Sequence, residues 1–230
     1  MIPKIIHYCW FGNNKKPDNV VKFINDWKTK LPDYEIKEWN EKNFDVTELR
    51  YTKEAYENKK YAFVSDVARI KALYKYGGVY LDTDIEIKKD FSQLLEKYTM
   101  IMGYEAHGDH LMTAFIASEK ENYLIKELLD TYSNESFLKE DGKYNLYPNT
   151  YRITDLLKKH NVKIDGNFQE IGKGIVLFPE KSFSAMDFST MTEISDDTTY
   201  TVHHFKSSWK PWYVKLRRKI KIFLLGFIKK

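Results

Sequence analysis

Cysteine is nearly absent: the 230 residues contain one, Cys9. A single thiol excludes an intramolecular disulfide and a zinc site built from several cysteines, and it fits a reducing compartment. Cys9 follows His7 and Tyr8 in an apolar, strand-like run and reads as core. Long apolar runs are absent too. No segment reaches the roughly 18–20 apolar residues that span a bilayer. The first residues, MIPKIIHYCWFG, lack the basic start and long apolar stretch of a signal peptide. The expectation is a cytoplasmic chain. Acidic residues are missing from the end of the chain, where Lys210–Lys230 holds eight Lys and Arg and no Asp or Glu. The formal net charge of +4 therefore divides into a strongly basic tail and a body with 29 basic against 33 acidic side chains. A basic body is the footprint of nucleic-acid binding. This body is mildly acidic, so no nucleic-acid partner is expected.

Aromatic residues, by contrast, are plentiful: 17 Tyr, 14 Phe and five Trp make up 16% of the chain. That composition favours a packed globular protein and supplies flat surfaces for bases and sugars. The length suits one domain with a real core. Strand and helix patterns alternate. Strands are predicted at Lys4–Trp10 and Tyr34–Trp39, with a helix at Asp18–Lys30 between them. Phe63, Val67, Ile70 and Tyr74 fall at helical spacing, and Gly77–Gly78 end that helix. Further helices are predicted near 91–97, 122–132 and 153–160, and strands near 100–104, 112–117, 175–178 and 200–205. This order predicts a mixed α/β sheet of Rossmann type, whose ligands bind where strands end and loops begin. The strand ends of interest are CWFGNN, LDTD and HHFKSSW.

The run GGVYLDTDIEI at 77–87 carries two carboxylates one residue apart. Read as one strand, it puts Tyr80, Asp82, Asp84 and Glu86 on the same face, neighbours about 7 Å apart. Either the face is simply wet, or a hard divalent cation such as Mg²⁺ or Mn²⁺ sits on it. Asp66 and Arg69, three apart on the preceding helix, share a side and read first as a surface ion pair. An antiparallel return of that helix into the strand would bring them to the aspartates. His203, His204, Ser207 and Ser208 offer a second set of metal-binding groups, beside Trp209.

Taken together and in order, PKIIHYCWFG, LPDYEIKEWNEKNF, YAFVSDVARIKALYKYGGVYLDTDIEI and HHFKSSW resemble the DXD sugar transferases of glycosyltransferase family thirty-two. That group includes bacterial capsular and lipopolysaccharide transferases and yeast initiating α-mannosyltransferases, with the glucosylating domain of large clostridial toxins a more distant relative. The resemblance implies a GT-A fold over residues 1–209, a nucleotide-sugar donor (UDP-linked as the first expectation) and a Mn²⁺ or Mg²⁺ ion. It also implies retention of anomeric configuration, with a cell-surface polysaccharide or glycolipid as acceptor. On this resemblance Asp84 ligates the metal and Asp82 reaches ribose and metal. His204 is the expected late metal ligand and His203 its nearest rival. Ser207 or Ser208 adds an oxygen. Trp10 stacks on the base with Tyr80 near the ribose, and Asp66 and Arg69 read sugar hydroxyls. Trp209 donates its indole N–H to the departing diphosphate.

The tail, residues 210–230, places Leu216, Ile220, Phe223 and Phe227 at helical spacing beside Arg217, Arg218, Lys219 and Lys221. A basic amphipathic helix of this kind lies on anionic membrane surfaces, here the inner face of the cell membrane. Two other readings compete. DxD on a strand also resembles haloacid dehalogenase-like phosphatases, with Asp196–Asp197 as late acids, but Glu86 stands where Thr or Val is expected and no late lysine is evident. A non-enzymatic membrane adaptor leaves the internal motifs unexplained. Acceptor choice is expected to lie in 105–154, including YEAHGDH and YPNTYRIT.

Overall fold

A computed structural model describes residues 1–206. The first strand, β1 (Ile5–Cys9), leads into α1 (Asp18–Lys30) and β2 (Glu35–Trp39). Two helices follow, α2 (Arg50–Glu57) and α3 (Tyr61–Tyr76), then β3 (Gly78–Leu81) and β4 (Ile85–Ile87). After α4 (Ser92–Lys97) come β5 (Met100–Glu105), a short 3₁₀ turn at Ala106–Gly108, and β6 (His110–Ser118). The remainder is α5 (Tyr123–Asp130), α6 (Asn149–Lys159), β7 (Gln169–Glu170), β8 (Ile175–Phe178), α7 (Glu180–Phe183) and β9 (Thr201–His203).

Seven strands form one sheet in the order β2-β1-β3-β6-β5-β8-β7. β1 runs parallel to both β2 and β3, whereas β3 and β5 flank β6 antiparallel, so the sheet is mixed. Apolar side chains alternate to its two faces, and each face is covered. On one side lie α2, α3, α5 and α6, through Tyr51, Val67, Ile70, Leu124 and Ile153. On the other, Ile24 and Trp27 of α1, Leu95 of α4 and Phe183 of α7 pack against Ile6, Val79 and Ile101. Burial of these side chains, at about 25 cal/mol per Å² of apolar surface, holds the layers together.

Helix α3 has apolar residues nearly all round, as a helix buried between sheet and outer helices must. It ends at Gly77, and Gly78 has φ 102°. A Cβ at Gly78 would lie 2.5 Å from the Ile5 carbonyl oxygen, so only glycine lets β3 start this close to β1. Buried His7 secures the same corner. Its Nδ1 accepts from Trp39 Nε1 at 3.1 Å, which leaves Nε2–H to donate to Gly77 O at 2.8 Å.

The single-strand reading of 79–87 is corrected. The strand stops at Leu81, a turn carries Asp82, Thr83 and Asp84, and Ile85 N–H closes it on Asp82 O at 3.0 Å. The chain then leaves the main sheet, and β4 pairs antiparallel with β9, Ile85 opposite His203. Helix α2 was not foreseen, because only Tyr51, Thr52 and Ala55 of its polar sequence are buried. Among the described residues no helix is long and apolar enough to cross a membrane. Residues 207–230 lie outside the described residues, and with them the expected basic tail helix.

Candidate active site

The site begins with Arg69. From α3 its guanidinium reaches three places. Nη1 donates to Thr113 O at 2.7 Å and lies 3.3 Å from Asp82 Oδ1, while Nη2 lies 3.1 Å from Asp66 Oδ1. Its carbon also sits 4.4 Å from the centroid of the Tyr80 ring. The ion pair is therefore not on the surface: Asp66 is 8% and Arg69 5% exposed. Tyr80, wholly buried, donates its hydroxyl to Asp82 Oδ1 at 2.9 Å. Asp66 takes a long contact from Asn149 N–H at 3.4 Å. Burial pushes the Asp66 carboxyl up; the Arg69 charge draws it down and Asp82 pushes it up again, leaving it at about 6.

Asp84 lies on the far side of the turn. Its Oδ2 accepts Lys206 N–H at 2.8 Å, and its Oδ1 is 3.5 Å from His203 Nε2. The other edge of that imidazole, Nδ1, is buried without a hydrogen-bond partner and faces Glu105 Oε2 at 3.7 Å. Burial raises the Asp84 carboxyl, but the His203 charge, its hydrogen bond and the Lys206 amide outweigh that and hold it below the usual carboxylate range. For His203, burial disfavours the imidazolium; Asp84 and then Glu105 outweigh it and raise the group to about 10. Asp84 and His203 are thus a mutually stabilised, half-buried pair.

A divalent cation fits here on the donor set itself. Asp82, Asp84 and His203 each offer one ligand atom, all within 4.8 Å of one another. Two carboxylate oxygens and one imidazole nitrogen suit Mn²⁺, and the carboxylates alone suit Mg²⁺. A cation here would take over the positive role beside Asp84, and ligation by His203 would require its neutral imidazole.

Some expectations change in detail. His204, the first choice for a late ligand, turns away: its Nε2 lies 2.9 Å from Glu86 Oε2 and its ring packs on Phe23 at 5.3 Å. The β4–β9 register brings His203 to the cluster instead. Tyr80 offers no open face to a ribose, because Arg69 covers its ring and its hydroxyl serves Asp82. Trp10 sits half-buried just beyond β1, its Nε1 donating to Asn14 O at 2.7 Å. With His7 level with Tyr80, Trp10 stands at the same end of the sheet as the aspartate turn. Ser207, Ser208 and Trp209 lie outside the described residues. Three neighbours escaped the sequence reading: Glu105, Asn149 and Thr150, whose Oγ1 is 3.3 Å from Glu105 Oε1. Only the assignment of 105–154 to acceptor choice hinted at them, since no short spacing links these residues to the aspartates.

Residues 17–101 match the family described as the glycosyltransferase sugar-binding region containing DXD motif. Inositol phosphoceramide mannosyltransferase 3 of Schizosaccharomyces pombe is 35% identical over 98 residues, which is 41% of this chain and 27% of that protein. The chain spans 22% to 46% of the length of the curated relatives it matches. Among solved structures, PaToxG glycosyltransferase superposes with a TM-score of 0.52 at 23% identity, covering 69% of each chain. Galactosyltransferase LgtC, solved with donor and acceptor sugar analogues, gives 0.50 at 11% identity, covering 96% of this chain and 95% of that one. The fold is GT-A. The match over residues 17–101 and the mannosyltransferase relative support a glycosyltransferase similar to those of family thirty-two, which the motifs resemble.

Proposed function

We propose that this chain moves a hexose from a nucleotide sugar, UDP-linked in the first instance, to a carbohydrate or glycolipid acceptor of a cell-surface polysaccharide, with retention of configuration. One observation carries the reading. Four carboxylates, Asp66, Asp82, Asp84 and Glu105, converge on Arg69 and His203, beside the ends of β3 and β5. A partly buried site with surplus negative charge favours a further cation.

A bound divalent ion would supply Lewis-acid stabilisation of a departing diphosphate. Asp82, Asp84 and His203 are the residues that would hold it. The chain's own groups position them. Arg69 and Tyr80 fix the Asp82 carboxylate, and the Lys206 amide and His203 fix Asp84. Such preorganisation leaves little to rearrange as charge develops. Trp10 is assigned to the base. Asp66 and Arg69 are assigned to donor-sugar hydroxyls and to orienting Asp82; Trp209 and one of Ser207 and Ser208 complete the donor side. Retention follows from attack on the same face. The acceptor oxygen bonds to C1 as the C1–phosphate oxygen bond breaks, and the hydroxyl proton passes to the leaving phosphate. The basic tail, 210–230, holds the enzyme at an anionic inner-membrane surface, as its sequence pattern supports.

Of the two late acids that the phosphatase alternative would use, Asp196 is engaged in its own turn, accepting from Thr198 and pairing with Lys181, which counts against that reading.

Thermal melts with MnCl₂ and a panel of UDP-hexoses test the reading. A ligand at about 100 times its Kd stabilises by about 2.7 kcal/mol, which raises Tm by about 5–11 °C in a chain of this size. Asp84→Asn should abolish both the shift and transfer while the variant stays folded. Melts indifferent to Mn²⁺ and to every UDP-hexose would refute the proposal.

A further inference from the structure

Helix α6 begins against the site and turns outward within one residue. Asn149 N–H points at Asp66, and the Thr150 hydroxyl lies 3.3 Å from both Glu105 Oε1 and Thr113 Oγ1. The next residue, Tyr151, is 43% exposed. Its ring packs edge-on against His110, centroids 4.7 Å apart, and His110 is the cross-strand partner of Glu105 in the β5–β6 hairpin. His110 Nδ1 is buried and has no hydrogen-bond partner. Tyr147, 38% exposed, lies 5.8 Å from the Tyr151 ring. Its hydroxyl is tied to Asp155, and the Arg152 guanidinium sits 5.4 Å from its ring centroid.

These residues form a ledge of two rings that are open to solvent yet held in place. Tyrosines restrained in this way offer contact area at little entropic cost. The ledge is continuous with the catalytic carboxylates through Thr150 and Glu105. A membrane surface would favour unpaired cations on such a patch, yet Arg152 is already paired with Glu135, and Asp155 and Glu105 adjoin the ledge. Flat rings rimmed by carboxylates match a pyranose, whose C–H face stacks on an aromatic ring while its hydroxyls donate to carboxylate oxygens.

We propose that His110, Tyr147 and Tyr151 form the acceptor subsite and take a neutral pyranose ring whose hydroxyl is directed toward the Glu105 side of the metal cluster. The inference rests on the transferase reading and adds to it where the acceptor lies and what it is: a sugar ring held by stacking.

Saturation-transfer NMR on the full chain, with Mn²⁺ and UDP present, tests it using methyl α-D-mannopyranoside and methyl β-D-galactopyranoside as probes. At least one should receive saturation. Tyr151→Ala should weaken that signal about 3–10-fold, the scale of one aromatic stacking contact. Tyr123→Ala, which removes an exposed ring on α5, should leave it unchanged. Three outcomes would overturn the assignment: silence from both sugars while UDP and Mn²⁺ bind, an undiminished signal in Tyr151→Ala, or Tyr151-dependent pelleting with phosphatidylglycerol vesicles while the sugars are silent. Failure of wild type to bind UDP and Mn²⁺ would overturn the transferase reading and this assignment together.

Discussion

Arg69→Met removes the guanidinium that pairs with both Asp66 and Asp82. The side chain is 5% exposed, contacts Asp66 and Asp82 at 3.1 and 3.3 Å, and donates to Thr113 O. Methionine fills a similar volume, so the loss is electrostatic. Removing one partner of a buried pair costs about 3–5 kcal/mol, because the other is left as an unpaired buried charge. Against a total stability of about 5–15 kcal/mol the variant should still fold. Its Tm should drop by about 6–20 °C at 2–4 °C per kcal/mol. The penalty depends on pH. Asp66 already sits at about 6 with Arg69 present, and the Arg69 charge is the strongest influence holding it down. Without it the carboxyl rises further. A carboxyl raised above its unfolded value loses stability as pH climbs through the folded pKa. The deficit of Arg69→Met should therefore be smaller at pH 5 than at pH 8. Adding Asp66→Asn removes the stranded charge and should recover about 1–3 kcal/mol, measured as a double-mutant cycle from urea melts. A single variant within about 2 °C of wild type, or strict additivity in the cycle, would show that this network carries little energy.

Other expectations concern the scaffold and the tail. His7 is buried, which lowers its imidazole to about 4, so it folds neutral while the unfolded chain binds a proton below 6.5. Its contribution is present above pH 6.5 and lost as pH falls toward 4, amounting to about 3 kcal/mol. The deficit of His7→Gln, followed by urea melts, should shrink by that amount between pH 7 and pH 4; a constant deficit would mean that His7 does not titrate this way. Gly78→Ala should destabilise by more than about 1 kcal/mol, because the new Cβ meets the Ile5 carbonyl at a φ of 102°; an unchanged melt would contradict the close approach of β1 and β3. A chain truncated after Lys210 should stop sedimenting with anionic vesicles while keeping its Mn²⁺ response, and continued sedimentation would place any membrane contact in the body.

The sequence carried most of the architecture because hydrophobic periodicity reports burial, and burial defines these elements. Helix α1 and strand β8 fall at the limits the pattern predicts. It failed where position is set by distant contacts. Nothing local says that the chain breaks at Asp82; the break exists because β4 has a partner, β9, more than a hundred residues away. The placement of His203, rather than His204, beside the aspartates has the same origin. In strand pairing, a step of one residue reverses which face a side chain occupies, and only the register Ile85↔His203 decides it. Asp66 and Arg69 were visible as a pair, but their burial depends on α6 and β6 closing over them through Asn149 and Thr113.

That pairing has a consequence for how the site is assembled. Asp82 is fixed by the main sheet and α3: its amide donates to Ala114 O at 2.8 Å, and its carboxylate is held by Arg69 of α3 and Tyr80 of β3. Asp84 is fixed only by the last described segment, through His203, the Lys206 amide, and its own carbonyl accepting His204 N–H at 3.1 Å. The two carboxylates of the motif therefore answer to different parts of the chain. A change confined to β9, such as Val202→Asp in its buried face, should release Asp84 while leaving Asp82 in place. The expected signature is separable: loss of the Mn²⁺-induced rise in Tm, with the fluorescence change of Trp10 on UDP binding retained at reduced affinity. If Mn²⁺ stabilised Val202→Asp as well as it does wild type, Asp84 and His203 would not belong to the cation site, and the carboxylate pair would have to act through Asp82 alone.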